Sequence, residues 1–455
     1  MDRFEKFIVD DEENRFLACI EGSGNQNLTC AIIDLKNDEP IFLFLVDNVH
    51  DFVNSIPKFF NEAFKAVILE VFNFYLFLPY KNNHEFCQTL KAKFAEAQIQ
   101  SYFLTNPEWL LARVLALKSY TSKINDVIST LMVTDKVAFI TDYTFTKNGY
   151  KLLCHHISPF TTTAAVMKKE IFRNNPKAVF IIETECSAQA NMTRLKSILP
   201  KSSAVIYASE SDITDSAIIK ALKQIIDKDF IQCKFVPHCF KECVVRSKSG
   251  PSLIFATKLM AELPLRNRKT VDKLLHEIIV TSEDHNMPNM PVTLYSCKPS
   301  SMAHKHEVVL EIDKENFVSW EVKPLILEEI QRLPIMLGKK KVKIPVIAFL
   351  NNLSFICFRV ADDMDFEFLQ SWKGIYGTDL YLSFDQEKPS FGENAVKCLQ
   401  TNPTSVAYEK FKGEKPKEVG FVLFDKYDGD GRKRVEAGIK KSCEMLNVSC
   451  NFIQV

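Results

Sequence analysis

One unit recurs near the two ends of this chain: a strand, a helix and a second strand, over residues 65–105 and again over 417–455. The first copy reads KAVILEVF, then LKAKFAEA, then QIQSYFL; the second reads KEVGFVLFDKY, RVEAGIKKSCEML and VSCNFIQV. Near-continuous apolar strands joined by a helix must lie parallel, because a parallel pair needs a crossover that returns the chain to the same end of the sheet. A sheet of that kind must be covered on both faces. The repeat therefore predicts an α/β protein holding two related modules, with other material between them.

The intervening sequence divides in two. Residues 28–60 read as two short strands, LTCAIIDL and PIFLFLV, and an amphipathic helix through DFVNSIPKFFNEAF. Thr105-Asn106-Pro107 leads into a further helix, EWLLARVLALK, and KVAFIT and KAVFIIE are strand candidates. After Asp229 the pattern changes to short strands and turns through residue 323, including PVTLYSC and EVVLEIDKENFVSWEV, which predicts an all-β module. The run Gly338-Lys339-Lys340-Lys341 reads as an exposed linker, and residues 344–455 return to α/β character. The expected organisation is an extension over 1–27, an α/β module over 28–229, a linker and β-sandwich over 230–337, and a second, truncated α/β module over 338–455.

Composition narrows the function. Lysine plus arginine equals aspartate plus glutamate, 57 of each, which argues against nucleic acid or a membrane surface as partner. The start of the chain shows no signal-peptide core, so the 13 cysteines are expected to be reduced thiols in the cytoplasm or nucleus. His238 with Cys239 and Cys243, and Cys154 with His155 and His156, are half-sites without matching partners in sequence, and no metal is expected.

The segment DLYLSFDQEKPSFGENAVKCLQTNPTSVAYEKFKG, followed by the strand, helix and strand ending in Met445-Leu446-Asn447-Val448, resembles the seventy-kilodalton heat-shock chaperones. Asn402-Pro403, Val406, Lys410 and Gly413 fall in step with that family. Residues 244–323 are similar to its peptide-binding β-sandwich, and Pro237 stands where its linker carries proline. The resemblance implies actin-like ATPase modules of ribonuclease H-like type, incomplete here, beside a substrate-binding-like sandwich. Segments similar to the family's start lie at the C-terminal end, so a truncated tandem copy is expected.

The same comparison implies that ATP hydrolysis is lost. Phosphates need glycine-rich hairpins whose bare backbone N–H groups they can approach closely, and glycine numbers only 13 here. The three phosphate loops are matched to Leu350-Asn351-Asn352-Leu353-Ser354, Thr141-Asp142-Tyr143-Thr144-Phe145 and Glu183-Thr184-Glu185-Cys186-Ser187. Lys410 remains as the family-matched catalytic remnant and Asp142 as a weak nucleotide-binding remnant. The relay proline is replaced by Val71 and by Phe424. No cofactor is expected; ATP and Mg²⁺ enter only if the loops still function.

Asp425, Asp428 and Asp430 miss calcium-loop spacing, and Asp430 is expected to cap a helix. Ser187 and Ser354 lack assigned partners for nucleophilic catalysis. His304 and His306 share one strand face and are expected at an exposed edge. Val292, Leu294, Val308 and Leu310 are candidates for an apolar peptide-binding lining. The leading expectation is a nucleotide-independent protein that binds unfolded polypeptide or a chaperone-network partner. The alternatives are an ATP-dependent folding chaperone and a structural or regulatory interaction protein.

Overall fold

The computed structural model of the chain describes residues 14–22, 28–74, 79–183, 188–199, 204–209, 212–248, 253–273, 277–283, 291–350, 353–361, 363–380, 382–383, 390–391, 417–424, 429–445 and 448–454. The first module comprises β1 (Phe16–Glu21), β2 (Leu28–Asp34), β3 (Glu39–Val46), α1 (Val49–Phe59), β4 (Phe64–Glu70), α2 (Asn83–Glu96), β5 (Ser101–Phe103) and α3 (Asn106–Lys118). Its sheet order is β3-β2-β1-β4-β5, antiparallel through the first three strands and parallel from β1 to β4 to β5. The central strand β1 lies within the stretch expected to be an extension. FLACIE is buried along almost its whole length, so it shows no polar alternation to mark it in sequence.

The second module follows the same plan with β6 (Val127–Val133), β7 (Val137–Thr146), β8 (Gly149–Pro159), α4 (Ala164–Ile171), β9 (Ala178–Glu183), α5 (Gln189–Ile198), β10 (Val205–Ser209) and α6 (Asp215–Ile226). Its order, β8-β7-β6-β9-β10, and its strand directions repeat those of the first. Helix α3 joins the two. Asn106-Pro107 starts it, and the Glu108 carboxylate accepts from the Thr105 N–H at 3.0 Å and hydroxyl at 2.7 Å. One flank of α3 (Trp109, Ala112, Ala116) packs on the first sheet, and the other (Leu110, Leu111, Val114, Leu115) packs on the second. Helix α6 returns to the first sheet through Ile219, Leu222 and Ile225.

A β-sandwich follows, with β11 (Glu242–Ser247), β12 (Leu253–Ala256), β13 (Leu265–Asp272), β14 (Ile278–Glu283), β15 (Val292–Cys297), β16 (Lys305–Ile312) and β17 (Val318–Leu325). One sheet runs β12-β11-β14-β15 and the other β13-β16-β17. They share a core of Val245, Ile254, Val280, Val308, Leu310 and neighbours.

The third α/β module begins with α7 (Glu328–Gln331) and α8 (Leu333–Lys339), then β18 (Val346–Leu350), β19 (Leu353–Phe358) and β20 (Glu367–Phe368). The short strands β21 (Thr378–Asp379), β22 (Leu382–Ser383) and β23 (Ser390–Phe391) precede β24 (Glu418–Leu423), α9 (Gly429–Met445) and β25 (Ser449–Phe452). The order β20-β19-β18-β24-β25 is that of the first two modules once more. Ile330, Leu333 and Leu337 pack against Val346, Ala348 and Phe355, so both helices belong with this sheet. Gly338 and Lys339 end α8 and are not a linker. Asp430 lies in the first turn of α9, where a carboxylate favours the helix dipole, and does not cap it. The recurring unit read in the sequence is β4-α2-β5 and β24-α9-β25, at the same place in two sheets.

Candidate functional site

The resemblance implies phosphate loops at the hairpins that follow the first strand of each module, so these hairpins are the candidate site. The first hairpin leaves β1 at Glu21 and Gly22. The Gly22 N–H donates to the Glu70 carbonyl at 2.9 Å. A Cβ on Gly22 would stand 2.9 Å from both the Leu28 and Phe74 side chains, which would have to shift to admit it. The Glu21 carboxylate accepts from the Trp109 indole N–H at 2.7 Å, and Glu70 is its register partner on β4. Nearby, burial pushes the Cys87 thiol up to about 12, with Lys241 opposing and Glu70 adding to the shift.

The second hairpin is the turn Thr134-Asp135-Lys136 between β6 and β7. Its groups are already engaged. The Thr134 hydroxyl oxygen accepts from the N–H of Lys136 at 3.3 Å and of Val137 at 3.2 Å. The Asn191 amide donates to the carbonyls of Thr134 at 3.0 Å and Asp135 at 2.8 Å. This is the arrangement of a closed turn, in which local side chains take the N–H groups that a phosphate cradle leaves open.

Sequence reasoning had matched the second phosphate loop to Thr141–Phe145, and the structure corrects this. KVAFITDYTF is the second strand of its module, not the first. Asp142 lies mid-strand, opposite Ser129, four register positions from the Val133–Ala138 end of the ladder. That is roughly 13 Å from the hairpin at strand spacing. Asp142 is fully buried and accepts from the Ser129 hydroxyl, from the Cys154 thiol at 3.3 Å and from the Asn174 amide at 2.6 Å. Burial and the Asp142 carboxylate together raise the Cys154 thiol. This satisfied polar knot fixes the packing of β6, β7 and β8, away from the β6–β7 hairpin.

Leu350 and Leu353 close the third hairpin and are buried against α7 and α8. Ser354 accepts from the Trp372 indole N–H at 2.8 Å and donates to the Thr378 carbonyl at 3.3 Å. Residues 184–187, 351–352 and Lys410 lie outside the described residues, as do Asn402, Pro403, Val406 and Gly413.

The first two modules share the order 3-2-1-4-5 and the same strand directions, and α3 and α6 pack together between them. The pair has the actin-like ATPase fold. Among solved structures the chain is similar to a protein of that fold and unknown function from Bacteroides thetaiotaomicron, at 12% identity over 48% of this chain and 99% of that one, TM-score 0.29. It is also similar to the ethanolamine utilization protein EutJ from Carboxydothermus hydrogenoformans, at 10% identity over 49% and 94%, TM-score 0.26. YeaZ from Pseudomonas aeruginosa matches at 8% identity over 48% and 97%, TM-score 0.25. At such scores the assignment rests on strand order and direction. No protein-family model matches the chain, and no curated protein matches it significantly.

The candidate peptide-binding residues do not form one lining. Val308 and Leu310 point into the sandwich core, fully buried between its sheets, because β16 is the central strand of its sheet and turns that face inward. Leu294 is half-buried against the same core, and Val292 is exposed at the start of edge strand β15. His304 and His306 are also buried, not exposed at an edge. The Leu327 N–H donates to His304 Nδ1 at 2.9 Å, so the ring proton sits on Nε2 and is donated to the Ile375 carbonyl at 2.7 Å.

Sequence reasoning missed the E-G-S-G-N run at 21–25, which follows the true first strand. Its two glycines beside a carboxylate were the signal that could have found it.

Proposed function

We propose that this chain is a nucleotide-independent binding protein: an actin-like ATPase pair that has given up hydrolysis and holds a β-sandwich, with a polypeptide as partner. The observation that carries this reading is the β6–β7 turn, where the Lys136 and Val137 N–H groups are bound to the Thr134 hydroxyl and phosphate contact would need them open. The packed Gly22 backbone under Phe74 supports it. So does the fixed seat of the sandwich on the first module. Phe72 meets Phe240 at 4.9 Å, and Phe103 meets Phe317 edge-on at 4.9 Å. The Asn82 amide donates to the Thr293 carbonyl at 2.9 Å. None of these contacts needs a nucleotide to form.

The E-G-S-G-N sequence, of which Glu21 and Gly22 are described, favours a second reading, nucleotide binding without turnover. Calorimetric titration of the full chain with Mg-ATP separates the two. The proposal expects no saturable heat up to millimolar ligand, on the order of the weakest specific affinities. Micromolar binding without phosphate release would establish the second reading, and turnover would overturn both.

A further inference from the structure

We propose that Cys443 and Cys450, in the third module, form a reversible modification site: a thiol pair that closes to a disulfide by exchange with a low-molecular-weight disulfide such as oxidised glutathione. The inference stands whether or not the first two modules bind nucleotide.

The pair is built by the strand, helix and strand that recur in this chain. Cys443 lies in the last turn of α9, and the Val448 N–H donates to its carbonyl at 3.0 Å. The chain then enters β25, where Cys450 stands in parallel register with Val419 of β24. Along β25, Cys450 and Phe452 are half-buried and alternate with exposed Ser449 and Asn451, which turns both toward the α9 face of the sheet. There they pack in one cluster with Cys443, Ile439, Val419 and Phe421. The Cys443 and Cys450 thiols are hydrogen-bonded to each other. A disulfide sets its sulfurs about 2 Å apart, an approach that side-chain rotation supplies to thiols already in contact.

Exposure separates this pair from the others among the described residues. Cys30 lies close enough to Cys19, and Cys239 to Cys243, to raise the neighbouring thiol, but all four are buried. Cys443 is buried as well, whereas Cys450 is partly open to solvent. Burial, with Cys450 beside it, pushes the Cys443 thiol up to about 11. Cys443 therefore stays protonated at neutral pH, and Cys450 is the thiol that meets an oxidant first.

Cys450 gives up its proton, and its sulfur attacks one sulfur of the small disulfide, releasing one small thiol. Cys443 then gives up its proton and attacks the Cys450 sulfur of the mixed disulfide, expelling the second small thiol. The Cys443–Cys450 bond forms, the small disulfide is reduced to two thiols, and both protons pass to the leaving groups. In a compartment that keeps thiols reduced, such a bond is transient and responds to the redox state.

The test exposes the full, folded chain to oxidised glutathione, alkylates the remaining thiols and reads peptides by mass spectrometry. The tryptic peptide beginning at Ser442 carries both cysteines and should lose the mass of two hydrogens. Cleavage after Glu444 should then leave its two parts linked until dithiothreitol is added. Cys443→Ala should hold Cys450 as the glutathione mixed disulfide, several-fold above its level in the unaltered chain. Cys450→Ser, at the more exposed position, should leave Cys443 unmodified, and thermal melts establish that both variants fold. Should Cys443→Ala fail to fold, Cys450→Ser and the unaltered chain decide the matter. A mixed disulfide that persists on Cys450 in the unaltered chain, linkage to a third cysteine, no reaction at Cys450, or modification of Cys443 in Cys450→Ser would each overturn the proposal.

Discussion

The β-sandwich meets its two α/β neighbours through different chemistry. Toward the first module the contact is mainly aromatic: Phe72, Phe103, Phe240 and Phe317 cluster, the Tyr295 hydroxyl joins His84 and Gln88, each at 2.9 Å, and a half-exposed Lys91 pairs with Asp313 at 3.0 Å and with Glu315 at the rim. Toward the third module it is polar and nearly dry. Lys273 pairs with Asp379 at 2.8 Å, both side chains almost buried, and His304 bridges Leu327 and Ile375 while its ring meets Phe355 edge-on at 5.2 Å. Aromatic burial is insensitive to pH and salt and an exposed ion pair at its rim contributes little, whereas a buried ion pair beside a neutral histidine holds only while each group keeps its charge state. The comparison teaches that one chain can seat the same sandwich mainly through apolar burial on one side and mainly through buried polar groups on the other.

Breaking the polar junction should have the largest effect. Asp379→Ala leaves the Lys273 ammonium buried without its partner and is expected to cost about 4 kcal/mol, read from the midpoint of chemical denaturation. An unchanged midpoint would mean that the pair is solvated in solution. The aromatic junction should respond a little less: Phe317→Ala removes a ring packed against Phe72, Phe103 and the Lys91 ammonium, at about 3 kcal/mol in the same measurement. Fluorescence of Trp320, in the sandwich, tests whether that loss releases the sandwich from the first module.

The smallest effect sharpens the contrast through pH. Burial holds His304 below the ordinary histidine range, with Lys273 acting in the same direction. A histidine depressed on folding is neutral in both states above its unfolded value of about 6.5. Below that the unfolded chain takes up the proton first, so stability falls as pH drops from about 6.5 toward the lower folded value. His306 and His84 are shifted the same way by burial, so the whole chain carries a summed slope. His304→Gln should flatten the slope of denaturation midpoint between about pH 6.5 and 5. An unaltered slope would remove His304 from the account.

Much of the fold was legible in the sequence, and less of the site. The apolar runs KAVILEVF and KAVFIIE declared themselves as buried strands, and the turn-rich stretch after Asp229 declared an all-β module. The match of Asp142 to a phosphate loop failed for a definite reason. β6 and β7 are both apolar and antiparallel neighbours, and periodicity does not say which of them pairs in parallel with β9. The central strand β1 was lost because its six residues are buried on both faces and give no alternation. Its hairpin, with Glu21 and Gly22, was lost with it. Val308 and Leu310 were correctly read as apolar strand positions, but inward and groove-facing apolar residues carry the same pattern.

Local chemistry was thus determined by the sequence alone: which segments are strands, where Thr105 and Glu108 start a helix, and how few glycines remain for phosphate loops. The tertiary structure decided what those segments meet. Only the tertiary structure shows that three sheets share one order and that Thr134 closes the β6–β7 turn. Periodicity is a property of neighbours along the chain, whereas strand order, burial of Asp142 and the seat of His304 depend on residues brought together from far apart in sequence.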